Sequence, residues 1–377
     1  MKCLRCGNTD PAYFYKGSKG YYCRKCIRFS RVLSEEELSS FDYEIAPDVD
    51  EYRFSYELTL QQKEASDACV KALEETDVLL NCVCGAGKTE ISVASISSYL
   101  KQGKKVAYAI SRKEVVIELA QRFEEIFPKA KVTAVYGGHH ECLKGDLIVC
   151  TCHQLYRYYQ TFDLLVLDEV DAFPLKGDET LMNIALSSCK GRIIFSTATV
   201  DEGLKKILAQ RKVKEINVYV RPSKRPLSVP ELICLPETLS FFCLLYLMSL
   251  TANRCIIFVP SRKKCKVFYE ICRRFFSCTY VYSDLKERKE NIEAFRQGKY
   301  RFLISTTVME RGITIKGVSV IVFDYQDCFD TSSLVQMLGR VGRGVGNDEG
   351  KSYILCPPYR KEVKETMAYL KKANAFL

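Results

Sequence analysis

From Asp77 onward, short unbroken apolar runs alternate with segments of helical periodicity. The runs are Val78–Leu80, Val106–Ile110, Asp146–Cys150, Leu164–Leu167 and Arg192–Phe195. Continuous β-rich runs separated by helices predict a parallel sheet covered on both faces, because a strand buried on both sides has no need of alternation. Pro222, Pro226 and Pro230 then break the pattern, and proline interrupts both helix and sheet ladders. A second series follows, with strand candidates Cys255–Val259, Phe302–Ser305, Val318–Phe323 and Tyr353–Cys356. The pattern therefore predicts two α/β lobes, residues 58–222 and 230–377, joined by a linker at 223–229. The longest apolar run, Phe241–Leu250, is about half the roughly 20 residues a membrane-spanning helix requires; it reads as a buried helix.

Ahead of the lobes lie two segments of opposite character. Residues 1–31 contain two cysteine pairs and are too short to bury a core unaided. Residues 32–57 carry Glu35, Glu36, Glu37, Asp48, Asp50 and Glu51 and read as an acidic, solvated linker with one short helix after Ser34. A chain of 377 residues, 47% hydrophobic and 27% charged, has the composition of a globular protein of several compact units, not of a disordered or fibrous chain. The net charge of +10 favours a polyanionic partner. The 19 cysteines fall mostly inside apolar runs, where a thiol acts as a small hydrophobe, so a reducing compartment is compatible with them. No apolar stretch follows the first charges at the amino terminus, and a cytoplasmic location is expected.

Three constellations carry chemistry. In the first, the strand ending at Cys82 runs into Cys84-Gly85-Ala86-Gly87-Lys88-Thr89 and then into a helical stretch from Glu90 to Gln102. Glycines let backbone N–H groups approach phosphate oxygens at a helix amino terminus, Lys88 would bind the β- and γ-phosphates, and Thr89 a Mg²⁺ ion. Cys82 stands where the strict pattern has glycine, and a plain tight turn is the competing reading. In the second, the strand Leu164–Leu167 ends in Asp168-Glu169-Val170-Asp171. Asp168 is placed to hold Mg²⁺ and Glu169 to polarise the attacking water. The third, Gln336 to Gly344, sets Arg340 and Arg343 three residues apart, on one face if helical, where both could reach an anion. Across a cleft from Lys88, Arg343 would act as an arginine finger and Arg340 as a second γ-phosphate contact. Binding of an acidic surface or nucleic acid within one domain is the alternative for this segment.

Together these motifs resemble a superfamily 2 helicase or translocase with two RecA-like lobes closing on ATP. Leu58-Thr59 with Gln62 resembles the adenine-reading element; Ser111-Arg112 resembles motif Ia, Thr151-Cys152-His153-Gln154 motif Ib, and Ser196 to Thr199 motif III. In the second lobe Phe258 to Ser261 resembles motif IV, Thr306 to Gly312 motif V, and Gln336 to Arg343 motif VI. The resemblance implies that Gln62, Cys84, Gly85, Ala86, Gly87, Gly312 and Gln336 join Lys88 and Thr89 around the nucleotide. It also implies that Arg112, Thr151, His153, Ser261, Arg262 and Thr306 meet a nucleic acid strand.

Cys3, Cys6, Cys23 and Cys26 form two Cys-x-x-Cys pairs, the ligand set of a closed structural Zn²⁺ site; two redox pairs are the alternative. Lys16, Lys19, Arg24, Lys25, Arg28 and Arg31 interleave with Tyr13, Tyr15, Tyr21, Tyr22 and Phe29, a mixture suited to phosphates and unpaired bases, or to a solvated face. A four-cysteine zinc finger ahead of such a motor, with Cys84 to Glu90 and Asp168 to Pro174, resembles the ComFA family of competence proteins. That resemblance implies an ATPase stimulated by single-stranded DNA, using ATP, Mg²⁺ and Zn²⁺. It would drive DNA uptake in bacterial transformation at the inner face of the membrane, with ComFC, DprA and the ComEC channel as partners. The alternatives are a PriA-type replication-restart or repair helicase, whose cysteines interrupt the second lobe, and a zinc-bearing nucleic-acid module with ATP as a switch.

Overall fold

The computed structural model describes residues 1–33, 38, 40–45, 52–309, 315, 317–326, 328–342, 350–358 and 360–377. Contacts divide the chain into two units, one of Met1–Cys82 with Gly87–Val218 and one of Val83–Ala86 with Tyr219–Leu377.

The first unit begins with a hairpin, β1 (Phe14–Gly17) and β2 (Gly20–Cys23), which carries the cysteine pairs at its base. Among the described residues its main sheet has seven parallel strands: β3 (Asp77–Cys82), β4 (Val106–Ile110), β5 (Val132–Val135), β6 (Leu147–Thr151), β7 (Phe162–Asp168), β8 (Cys189–Thr197) and β9 (Val213–Val218). Their order is β5-β6-β4-β7-β8-β3-β9. Helices α1 (Leu60–Ala72), α2 (Lys88–Lys101), α3 (Lys113–Ile126), α4 (Glu179–Ser188) and α5 (Glu202–Leu208) make the connections. Strands β4, β6 and β7 are buried almost throughout, as their unbroken apolar runs require, each large aliphatic side chain contributing about 1.5–3 kcal/mol. The edge strands β5 and β9 escaped the pattern: Val213–Val218 contains Lys214 and Glu215, both exposed, because an edge strand needs burial on one face only.

Among the described residues the second unit has six parallel strands in the order β10-β15-β14-β11-β13-β12. They are β10 (Glu231–Ile233), β11 (Arg254–Phe258), β12 (Cys278–Val281), β13 (Phe302–Ser305), β14 (Val318–Phe323) and β15 (Ser352–Leu355). Helices α6 (Glu237–Leu250), α7 (Arg262–Cys272), α8 (Arg288–Arg296), α9 (Thr331–Leu338) and α10 (Lys361–Asn374) accompany them. The chain is thus α/β with two RecA-like parallel-sheet lobes and an amino-terminal four-cysteine cluster.

Three local expectations are revised. The apolar run 241–250 is helical, but only Leu244, Leu247 and Met248 of it are buried, while Phe242, Tyr246 and Leu250 are exposed; hydrophobicity all round a helix does not specify which face packs. The acidic segment is not wholly solvated where it is described: Tyr43 is buried beneath Lys105, and Arg53 N–H donates to Ile126 O at 2.8 Å. Helix α9 stops at Leu338, so Arg340 lies beyond it in a turn. Gly339 and Gly342 weaken the helix there, and Gly342 takes φ +72°. The short helix expected after Ser34 falls on residues 34–37, outside those described.

Candidate functional site

The carboxyl end of the first sheet brings the first-lobe motifs together. Strand β3 leaves the sheet into a turn where Gly85 (φ +84°) and Gly87 (φ +87°) are left-handed, conformations that cost an L-residue about 1–2 kcal/mol. Gly87 caps α2, whose first residues are Lys88 and Thr89. Cys84 and Ala86 are buried within the turn. Gln62 is held over Gly87 by its own helix cap: Thr59 N–H donates to Gln62 Oε1 at 3.0 Å, and Gln62 N–H to Thr59 Oγ1 at 3.3 Å, a reciprocal capping box. A Cβ on Gly87 would lie 2.3 Å from Gln62 Nε2, so a larger residue there would displace the Gln62 amide in addition to straining the backbone.

Strand β7 delivers Asp168 beside this turn. Lys88 Nζ lies 3.9 Å from Asp168 Oδ1, and the same oxygen accepts from Ser196 Oγ at 2.7 Å and from Glu169 N–H at 2.9 Å. Asp168 Oδ2 accepts from Tyr108 O–H at 2.8 Å, and Tyr108 Oη is 3.4 Å from Thr89 Oγ1. Glu169 has φ +54°; a non-glycine residue there stores about 1–3 kcal/mol of strain, which marks functional turns more often than structural ones. Asp171 accepts from Thr199 Oγ1 at 2.8 Å, so two side-chain hydrogen bonds join the segments resembling motifs II and III, beside the backbone bond from Val170 N–H to Ser196 O at 3.2 Å.

Two groups here were not foreseen. Tyr108 read only as a member of an apolar strand; its hydroxyl is fully enclosed, and burial first, then Asp168, push its ionisation well above the ordinary value. Glu90, one residue past Thr89, accepts from Arg122 and from Tyr56 O–H at 2.6 and 2.9 Å. Burial raises the Glu90 pKa, but Arg122 and Tyr56 outweigh it and leave the carboxyl below its usual range. A carboxylate directly after the lysine–threonine pair was the available signal.

Of the expected strand-contact residues, Arg112 precedes α3, Thr151 ends β6 and His153 is the second residue of the following 3-10 turn (Cys152–Arg157), all at the carboxyl end of the sheet. In the second unit Ser261 caps α7, accepting from Lys264 N–H at 3.3 Å, and Arg262 pairs with Asp284 and Ser283. Thr306 follows β13, and Gln336 lies buried in α9. Arg340 is buried as well. Arg343 and Gly312 lie outside the described residues.

The four amino-terminal cysteines are buried, and all their sulfurs lie within 4.8 Å of one another. Cys3···Cys26 and Cys6···Cys23 are both 3.7 Å, close to the roughly 3.8 Å edge of a tetrahedron with Zn–S bonds of about 2.3 Å. Hydrogen bonding to Cys3 and Cys6, with burial, pushes the Cys26 thiol far up, whereas hydrogen bonds from Cys26 and Cys6 pull Cys3 down. Thiols so crowded cannot all ionise without a cation, and the set fits a zinc ion. The module is docked on the first unit: Asn183 Nδ2 donates to Cys6 O and Ser187 Oγ to Arg5 O, each at 3.0 Å. Arg28 pairs with Asp178, the residue capping α4. Phe29 packs against Tyr156 and His153, with ring centroids 5.8 and 6.2 Å apart.

Comparison with known proteins agrees with this geometry. Residues 59–207 match the DEAD/DEAH box helicase family and residues 237–345 the helicase conserved C-terminal domain. Competence protein ComFA of Streptococcus pneumoniae is 32% identical, the alignment covering 99% of this chain and 90% of that protein. ComFA of Bacillus subtilis is also 32% identical, over 99% and 85%. The chain belongs to the ComFA family. Membership with both helicase domains makes it an ATP-hydrolysing enzyme of the helicase superfamily. The ComFA alignments run through the cysteine module, which favours this family over the PriA-type alternative. Saccharomyces cerevisiae Dbp5 bound to RNA and ADP BeF3 shares the fold, with a TM-score of 0.62 at 19% identity, covering 85% of this chain and 92% of that one. Its two helicase domains make the chain an ATP-dependent helicase-like enzyme, and among the described residues no helix is long and apolar enough to cross a membrane.

Proposed function

We propose that this ComFA-family chain is a motor that hydrolyses ATP to move along single-stranded DNA, drawing the incoming strand inward during competence. The observation that carries the reading is the convergence of Lys88, Thr89, Asp168 and Glu169 at the carboxyl end of one sheet, with Lys88 and Asp168 3.9 Å apart. In this reading Lys88 and the glycine turn hold the β- and γ-phosphates, Gln62 reads the adenine, and Glu169 orients the water that attacks the γ-phosphorus. Thr89 and Asp168 would hold Mg²⁺, which when bound neutralises charge building on the phosphate oxygens. Arg340, with Arg343, is assigned to the γ-phosphate, and Gly312 and Gln336 to the nucleotide, by family resemblance. Zinc-module residues 1–31, linker 32–57, lobes 58–222 and 230–377 and interlobe segment 223–229 are the working units.

The strand would contact Arg112, Thr151 and His153 on one lobe and Ser261, Arg262 and Thr306 on the other. The docked zinc module supports an extension of that path, since Phe29 packs beside His153 and the hairpin pairs Lys16 with Tyr21, Arg24 with Tyr15 and Lys25 with Tyr13. Such cation–aromatic pairs suit phosphates and unstacked bases. By resemblance ComFC, DprA and the ComEC channel are the partners, which would place the chain in the cytoplasm against the membrane's inner face. The test is ATP turnover with single-stranded DNA, duplex DNA and RNA compared at one stated salt concentration. Single-stranded DNA should stimulate most; equal stimulation by RNA, or none by any, overturns the proposal.

A further inference from the structure

We infer that Tyr108 is a positioning residue that turns Thr89 toward the metal of the nucleotide site, acting through a directed pair of hydrogen bonds anchored on Asp168. The inference rests on the reading of this site as one for a Mg²⁺–nucleotide. Donor and acceptor roles set the direction of both bonds. Tyr108 O–H donates to Asp168 Oδ2 at 2.8 Å. A phenol has one proton to donate, and Tyr108 commits it to Asp168. Toward Thr89 Oγ1 at 3.4 Å the Tyr108 oxygen can therefore only accept. The Thr89 proton points at Tyr108, and the lone pairs of its oxygen are left pointing elsewhere. A metal ligand must present a lone pair, so this arrangement prepares Thr89 before any cation arrives.

Placement follows from the sheet. Strand β4 lies beside β7 with Tyr108 level with Val166, two residues before Asp168, so the tyrosine ring spans from one strand to the end of the other. Phe123 of α3 packs on that ring at 5.3 Å between centroids, fixing the hydroxyl's direction. Asp168 is thereby held at both oxygens, by Ser196 at one and Tyr108 at the other, whereas Thr89 is oriented through Tyr108. Groups that orient metal ligands in this way typically change metal affinity by about 10–100-fold when removed.

The experiment is a titration of a fluorescent ADP analogue into wild type and Tyr108→Phe, in EDTA and across a Mg²⁺ series, without DNA. Wild type should bind more tightly with Mg²⁺. Tyr108→Phe should bind equally well in EDTA, but its Mg²⁺ half-saturation should rise by about tenfold or more. In a Thr89→Val background the same substitution should shift the half-saturation by less than it does with Thr89 present, because the contribution made through Thr89 is gone; an equal shift in both backgrounds overturns the inference. Should Tyr108→Phe fold poorly, 4-fluorophenylalanine placed at 108 fills the hydroxyl's space without a proton to donate and takes its place. A half-saturation within twofold of wild type overturns the inference. So does an equal loss of affinity with and without Mg²⁺, which would assign Tyr108 to packing alone. Failure of wild type to bind nucleotide would instead remove the underlying reading of the site.

Discussion

Replacing Gly87 by alanine adds one methyl group where the Gln62 amide now stands. At φ +87° the alanine backbone costs about 1–2 kcal/mol. Its Cβ would stand 2.3 Å from Gln62 Nε2 and 3.2 Å from Glu90 Oε2. Gln62 is the side chain that must yield, and moving it opens the capping box with Thr59, a further loss of about 1 kcal/mol. Gly103 supplies the control, since it has φ +65° with nothing within 4 Å of an added methyl; Gly103→Ala bears the backbone cost alone. For a unit of this size each kcal/mol lowers the thermal midpoint by about 2–4 °C. Gly103→Ala should therefore lose about 2–8 °C by calorimetry, and Gly87→Ala about 2–4 °C more. The sharper contrast is functional: fluorescent-nucleotide affinity should fall about tenfold or more in Gly87→Ala, about 1.4 kcal/mol, and stay within twofold in Gly103→Ala. Equal affinities in the two variants would refute the argument that the Gln62 contact shapes the phosphate turn.

Glu169→Gln should reduce turnover by about 10²–10⁴-fold while ATP affinity changes less than about threefold, and Lys88→Ala should lose both; steady-state kinetics beside equilibrium binding separates them, and unchanged turnover in Glu169→Gln removes that residue as water activator. Cys23→Ser with Cys26→Ser should eliminate bound zinc by elemental analysis and weaken single-stranded DNA binding, with nucleotide affinity retained; an unaltered metal content would defeat the assignment of the thiols. Phe29→Ala, which empties a buried site next to Tyr156 and His153, should keep its zinc yet release the module from the first unit, exposing residues 1–31 to trypsin; wild-type resistance to cleavage would show that Phe29 does not hold the docking.

What the amino-acid order determined by itself was whatever depends on neighbours in the chain. The glycine turn between β3 and α2, the acidic end of β7 and the two Cys-x-x-Cys pairs are local spacings, and the inner strands are legible because a position buried on both faces must be apolar. The edge strands β5, β9, β10 and β12 were illegible, since one buried face and a length of three to six residues leave too weak a pattern. Only the tertiary structure decided which distant residues meet. Sheet order sets β4 against β7 and so brings Tyr108 to Asp168, 60 positions away; packing, not periodicity, chose which side of α6 faces inward. The cysteine module likewise owes its seat on α4 to hydrogen bonds spanning 177 and 182 positions. Propensity and spacing act through a few adjacent bonds, whereas these pairings depend on how whole elements share a common core, which no local window contains.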